Sequence, residues 1–132
     1  MKTSIILVTL ALTTIAAGVA AQAPTFKRTL VQQVDLSIPG REAVTAVGEL
    51  QPNGGSPGRH THPGEEIGYV LDGTVVVEIE GKPAQTLTAG KAFLIPANTV
   101  HNATNKTGSV VKILATYIVE KGKPLATPAA AK

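Results

Sequence analysis

The sequence contains no cysteine and no tryptophan, and only two tyrosines and two phenylalanines among its 132 residues. The absence of cysteine excludes disulfide scaffolds, thiolate metal sites and cysteine nucleophiles. So few aromatic rings cannot form a base-stacking platform for nucleic acids. Charged residues make up 16% and hydrophobic residues 43% of the chain, which excludes a disordered polyelectrolyte. The length suits a single domain.

The net charge of +3 does not indicate a nucleic-acid partner. Residues 24–120 contain eight basic and nine acidic side chains, so the excess positive charge lies at the two ends of the chain. The basic residues of the central part form no cluster that could bind a row of phosphates. We therefore expect no nucleic-acid partner.

Residues 1–21 have the features of a secretory signal peptide. Lys2 supplies a positive start, an apolar or small stretch runs from Ser4 to Val19, and small residues precede the expected cleavage after Ala21. The alternative is an uncleaved membrane anchor, but the stretch is short for a span and has no positive charge on its far side. We expect a periplasmic or secreted protein with no stable membrane insertion after cleavage.

One folded domain is expected over residues 22–120, followed by a tail over residues 121–132. The tail contains Pro124 and Pro128 and has no apolar period. Such a composition indicates a flexible segment.

Short segments with alternating apolar residues predict an all-β domain. The predicted strands are Thr29–Leu36, Ala43–Leu50, Ile67–Leu71, Thr74–Glu80, Ala92–Ile95 and Val110–Val119. The dipeptide Asp72-Gly73 predicts a two-residue hairpin between the third and fourth of these. Regularly spaced short strands in so small a chain predict a β-sandwich or β-barrel.

All three histidines fall in two short stretches, and an acidic residue lies close to the first. His60 and His62 project from the same face of an extended chain, and Glu66 follows four residues later. His101 comes just after the turn at residues 96–99. Imidazoles and a carboxylate suit divalent first-row metals and leave room for water or substrate. The grouping indicates a metal site; the alternative is that these are unrelated surface or core histidines.

The spacing of these residues and of nearby glycines resembles the two motifs of the cupin family. The residues that match the first motif are Gly54, His60, His62, Glu66 and Gly73. Those that match the second are Gly90, Pro96, His101 and Asn105. Asn98 stands where the second motif has glycine, and asparagine adopts the left-handed conformation more readily than most residues. We therefore expect the turn to be retained.

The resemblance implies a single jelly-roll β-barrel, or double-stranded β-helix, that holds one divalent transition metal: iron, manganese, nickel or zinc. It assigns the metal ligands His60, His62, Glu66 and His101. Glu65 competes for the role of the acidic ligand, but spacing and strand parity favour Glu66 and point Glu65 outwards. The structural positions of the motifs are Gly54, Gly73, Gly90, Pro96 and Asn105, and Asn105 is expected to hold the loop after His101.

Three other side chains are weaker candidates for contacts with a substrate. Arg59 could neutralise a substrate carboxylate, although its parity, opposite to that of His60, favours solvent. Tyr69 could donate a proton, but packing between sheets or at a subunit interface is the stronger expectation. Glu49 is an acid near the expected barrel mouth whose parity the sequence leaves open. Phe93 and Tyr117 are interpreted as core residues.

Cupins include many enzymes as well as storage proteins and sugar-binding regulators, so the fold does not choose the function. The first hypothesis is a small dioxygenase-like, metal-dependent enzyme that acts on an oxygenated organic molecule such as an enediol, diketone or phenol. The alternatives are a non-catalytic protein that captures a small ligand, and a metal-stabilised structural barrel. A homodimer through the edge strand Thr29–Leu36 is also expected, because the family often dimerises through sheet edges.

Overall fold

The structure, a computed structural model, describes residues 25–130. This part of the chain contains β1 (Phe26–Asp35), β2 (Arg41–Leu50), β3 (His60–Thr61), β4 (Gly64–Asp72), β5 (Thr74–Ile79), β6 (Gln85–Thr88), β7 (Ala92–Ile95), β8 (His101–Thr104), β9 (Val111–Glu120) and β10 (Thr127–Pro128). The predicted signal peptide lies outside the described residues. Within the described range, no helix is long and apolar enough to cross a membrane.

Two five-stranded antiparallel sheets enclose the core. Their strand orders are β1-β2-β9-β4-β7 and β10-β3-β8-β5-β6. Inward and outward residues alternate along β4 and β9, so each strand buries one apolar face. The main core cluster contains Leu50, Val70, Val75, Val77, Ile79, Phe93, Ile95, Val111 and Ile113. The prediction of an all-β jelly roll is confirmed.

The predicted hairpin at Asp72-Gly73 is wrong. Gly73 has a φ of 82°, as a tight turn requires, but β4 pairs with β7 and β9 whereas β5 pairs with β6 and β8. The chain therefore crosses from one sheet to the other at this glycine. A left-handed glycine serves a corner as well as a hairpin, and the dipeptide alone does not specify which strands will pair.

The C-terminal segment has more structure than a flexible tail. Thr127 and Pro128 form β10, which pairs with β3, and the Ala129 amide donates a hydrogen bond of 2.9 Å to the Arg59 carbonyl. The expectation of flexibility is corrected for these residues. Backbone hydrogen bonds to an unpaired strand edge require no apolar period, so composition could not reveal this strand.

Two asparagines position the loop that carries His101. Asn98 adopts a φ of 57°, so the turn is retained without the motif glycine. The backbone N–H of Asn98 donates to the His62 carbonyl at 2.9 Å. Asn105 is fully buried. Its side-chain amide donates to the carbonyls of Leu50, Gln51 and Ser109 at 2.7–3.1 Å. These bonds tie the end of β8 to the end of β2.

Candidate metal centre

Three strands bring the candidate metal ligands together inside the barrel. His60 on β3 is the direct cross-strand partner of His101 on β8. Glu66 lies on the inward face of β4, and His62 lies in the connection between β3 and β4. All four side chains are buried, and their potential ligand atoms lie within 4.8 Å of one another.

The shortest contacts in this cluster join ring nitrogens to one another and to a carboxylate oxygen. His60 Nε2 lies 3.1 Å from His62 Nε2. Glu66 Oε2 lies 3.0 Å from His62 Nε2 and 3.1 Å from His101 Nε2. The other ring nitrogen, Nδ1, donates to a backbone carbonyl in each histidine. His60 donates to Gly58, His62 to Leu125 and His101 to Thr99.

These carbonyl bonds determine which ring nitrogen carries the proton. A carbonyl oxygen can only accept, so each neutral imidazole holds its proton on Nδ1 and directs the lone pair of Nε2 into the cluster. Three lone pairs and a carboxylate oxygen then face one another, an arrangement that a shared cation stabilises. Imidazole and carboxylate ligands with such backbone partners are typical of transition-metal sites. The cluster therefore fits a metal site.

The ionisation states of the ligands also suit a metal. Burial lowers the pKa of His60 to about 4 and outweighs the bond to the Gly58 carbonyl, which raises it; the neighbouring imidazoles lower it further. Burial raises the pKa of Glu66, but the contacts with the His101 and His62 rings outweigh this effect and lower its pKa to about 2. A neutral imidazole and an ionised carboxylate are the forms that bind a divalent ion.

Acid is expected to destabilise the metal-free protein through His60. Its pKa falls from 6.5 to about 4 on folding, so the unfolded chain takes up a proton that the folded chain excludes. The free energy of unfolding should therefore fall by roughly 2 kcal/mol as the pH drops through this window, which is less than the full shift corresponds to because solvent screens part of the effect. Urea unfolding with a chelator present measures the effect. A His60→Gln variant should lose that part of the pH dependence, and an unchanged slope would contradict the assignment.

A small cavity of about 30 Å³ adjoins the cluster. Its walls are mostly apolar, and its polar lining residues outside the cluster are Arg28, Asn102 and Tyr117. The Tyr117 ring packs edge-on against His62, with 4.6 Å between ring centres. Burial, followed by the charge of Glu66, raises the pKa of Tyr117 to about 12, so its hydroxyl stays protonated at neutral pH.

The sequence assigned Tyr117 only to the core and did not identify Arg28 as a site residue. The alternation along β9 places Tyr117 inside the barrel, but alternation does not distinguish a core ring from a ring beside a metal ligand. Arg28 lies on β1, most of whose residues are exposed. The register with β2 is needed to place its side chain inside.

The structure removes Tyr69 and Glu49 from the site. Tyr69 lies on the outward face of β4 and is 45% exposed. Glu49 forms ion pairs outside the barrel with Lys27 at 3.9 Å and Lys112 at 3.7 Å. Strand parity accounts for both positions, because successive residues of a strand point to opposite faces. Tyr69 is adjacent to buried Val70, and Glu49 is adjacent to buried Leu50.

Arg59 and Glu65 take positions close to those expected. Glu65 is exposed on the outward face of β4. Arg59 does not line the metal cavity, but it lines a neighbouring cleft together with His60, and its guanidinium lies 3.5 Å from Glu80.

The C-terminal segment is expected to raise metal affinity. A chain that ends at Lys123 lacks the Leu125 carbonyl that orients His62, and it also lacks β10 beside β3. Loss of such backbone partners should weaken metal binding roughly ten- to a hundredfold. Competition titration against a chelator measures the change, and a chain that ends at residue 130 is the matched control. Equal affinity in the two truncated chains would contradict this role.

Comparisons with known proteins agree with the fold. The profile of the Cupin domain family matches residues 46–117. A cupin superfamily protein from Desulfitobacterium hafniense DCB-2 is 15% identical, with a TM-score of 0.61, and the match covers 77% of this chain and 84% of that one. The polyketide cyclase RemF from Streptomyces resistomycificus is 22% identical, with a TM-score of 0.62 and coverage of 82% and 73%.

An oxalate oxidase in complex with the substrate analogue glycolate is also similar. It is 21% identical, with a TM-score of 0.63, and the match covers 85% of this chain but only 59% of the oxidase. No curated protein matches the chain. At these identities the solved structures are similar in fold alone.

Proposed function

Since the chain belongs to the cupin family, we propose that it is a small metal-dependent enzyme of dioxygenase-like type that acts on an oxygenated organic molecule. The observation that carries this proposal is the convergence of three imidazoles and one carboxylate beside a cavity. A divalent iron, manganese, nickel or zinc ion there would polarise a substrate carbonyl or enolate oxygen and, if redox-active, support oxygen chemistry.

The residues around the cluster have distinct parts in this proposal. Glu66 stays ionised and contributes the one negative charge among the four ligands. The Tyr117 hydroxyl stays protonated and can donate a hydrogen bond to a substrate oxygen. The apolar side chains of Leu50, Phe93 and Ile113 line the cavity and exclude water, which strengthens electrostatic interactions within it.

Oxygen consumption by the metal-loaded protein tests the enzymatic proposal. We expect uptake with at least one class from a panel of catechols, flavonols and diketones, and none above background in a Glu66→Gln variant. Glu65→Gln is the matched control, because it removes the same charge from the outward face of the same strand. Silence across the panel with each of the candidate metals would contradict a dioxygenase-like activity.

A non-catalytic ligand-binding protein is the second candidate function. It is favoured by the cavity lining, because among the described residues outside the metal cluster it contains no carboxylate or imidazole that could act as a general base. Thermal stabilisation by small oxygenated ligands without any oxygen uptake would favour this function.

We also propose export of the protein and a homodimer. Export rests on the signal-peptide pattern of residues 1–21. The dimer rests on β1, which is an edge strand and exposes 58% of Leu30, 59% of Val31 and 46% of Val34. Amino-terminal sequencing of the exported protein tests the first proposal, and light scattering coupled to size-exclusion chromatography tests the second.

A further inference from the structure

Arg28 places a positive charge on the inward face of β1. It is the cross-strand partner of Gly48 on β2, and the next pair on the same face joins Phe26 to buried Leu50. Because Gly48 has no side chain, the Phe26 ring can lie over it: a Cβ at this glycine would come within 3.1 Å of the ring. The register therefore leaves space at this point for the ring and for the guanidinium beside it.

Two aromatic rings hold the guanidinium beside the metal centre. Its central carbon lies 5.4 Å from the Phe26 ring centre and 5.5 Å from the Tyr117 ring centre. These distances are typical of cation–π contacts. Tyr117 packs directly against His62, and Arg28 lines the same cavity as His60, Glu66 and His101. The positive charge is thus one aromatic ring away from a candidate metal ligand.

The charge of Arg28 has no anionic partner within the part of the chain that the structure describes. No carboxylate among residues 25–130 forms an ion pair with it, whereas neighbouring Lys27 pairs with Glu49. The Nε atom of Arg28 is also buried without a hydrogen-bond partner. A buried donor without a partner is costly, so this guanidinium is suited to an anion that the protein itself does not supply.

We propose that Arg28 binds the carboxylate of a small organic acid, whose second oxygen function faces the metal cluster. This inference rests on the proposed function, since it names the substrate class of the same site. Three neutral imidazoles and one carboxylate leave a divalent ion with one excess positive charge, and Arg28 adds another. Apolar walls make this excess unfavourable until an anion enters. The planar guanidinium offers two parallel donors that match a carboxylate.

A cleft beside the cavity gives such an acid an approach to the site. The cleft has a volume of about 230 Å³ and is lined by Phe26, Arg28, Pro57, Arg59, His60, Ala126 and Pro128. Arg28 and His60 line both the cleft and the cavity. Arg59 also lines the cleft, but its guanidinium lies 3.5 Å from Glu80 and is paired there. The positive charge at the approach is therefore that of Arg28, which attracts anions, and the small cavity limits the acid to a few carbon atoms.

Binding of matched acids and amides to zinc-loaded protein tests this inference. Zinc is redox-inert, so calorimetry with lactate and lactamide, and with malonate and malonamide, measures binding without turnover. The wild type should prefer each acid over its amide. Arg28→Met should reduce that preference about tenfold or more, because it removes a charge-assisted pair of hydrogen bonds.

Two further variants separate the role of Arg28 from folding and from net charge. Arg28→Lys keeps the charge without the planar fork and should lose part of the preference for acid over amide. This variant still tests the inference where Arg28→Met folds poorly. Lys27→Met removes the same charge from the adjacent, outward-facing position, where the side chain is 67% exposed, and should bind as the wild type does. An unchanged preference in both Arg28 variants, or equal binding of acid and amide by the wild type, would overturn the inference.

Metal content measured on the same samples separates this inference from the proposed function. Zinc-loaded protein without any Arg28-dependent preference contradicts the carboxylate site and leaves the metal site intact. Protein that binds no metal but retains the Arg28-dependent preference contradicts the proposed function and supports the carboxylate site.

Discussion

Replacing His101 by alanine is expected to lower metal affinity by roughly a thousandfold or more. Loss of only the hydrogen-bond partner of a metal ligand lowers affinity roughly ten- to a hundredfold, and loss of the ligand itself should cost more. The substitution removes one of four convergent ligand atoms and leaves an apolar methyl group in its place. The backbone pairing of residue 101 with β3 and β5 does not depend on the ring, so the variant should still fold. Chelator competition gives the affinity, and circular dichroism of the metal-free proteins gives the fold.

Glu66→Gln and Glu65→Gln supply the matched comparison for His101→Ala. The two glutamates are adjacent, but Glu66 is buried among the histidines and Glu65 is exposed. The Glu66 variant should bind metal more weakly than the wild type, and the Glu65 variant should be indistinguishable from it. Wild-type affinity in His101→Ala, or equal affinities in the two glutamate variants, would show that the ligand assignment is wrong.

Replacing Gly64 by alanine is expected to lower the free energy of unfolding by roughly 3 kcal/mol and the melting temperature by roughly 10–20 °C. A methyl group at this position would overlap the Ile118 carbonyl oxygen and lie 2.7 Å from the Val119 Cα atom. Both atoms belong to the backbone of β9, which is the central strand of the sheet and the neighbour of β4. The overlap can therefore be removed only if the two strands move apart. Thermal and urea unfolding measure the loss.

Gly108→Ala is the control for this substitution. A methyl group at Gly108 meets no atom within 4 Å, and its backbone is not left-handed, so stability should change by about 0.5 kcal/mol or less. Gly64 also lies two residues from both His62 and Glu66, and its variant should therefore lose metal affinity as well. Equal stability of the two alanine variants would contradict the close approach of β4 and β9.

The sequence predicted those parts of the molecule that depend on local pattern. β5, β7 and β9 were anticipated within one residue at each end, because apolar residues alternate along them or β-branched residues fill them. The cluster at His60, His62, Glu66 and His101 was anticipated because the spacing of the residues resembles the cupin motifs. The structure brings these four side chains together.

The features that the sequence did not reveal depend on partners distant along the chain. The Asp72-Gly73 corner requires knowing which sheet receives β5, and β10 requires the free edge of β3. Arg28 becomes a site residue only through its register with Gly48 and its contact with Tyr117. None of these relationships leaves a periodic pattern in the local sequence.

Metal analysis of the protein purified from its native compartment tests the central claim, that the buried cluster holds a metal ion. We predict about one divalent transition metal ion per folded chain, because among residues 25–130 a single set of four ligands converges in the barrel. The His101→Ala protein, purified in parallel, should contain little or none. A wild-type protein that contains no stoichiometric transition metal, and that binds none when iron, manganese, nickel or zinc is supplied, would contradict the claim.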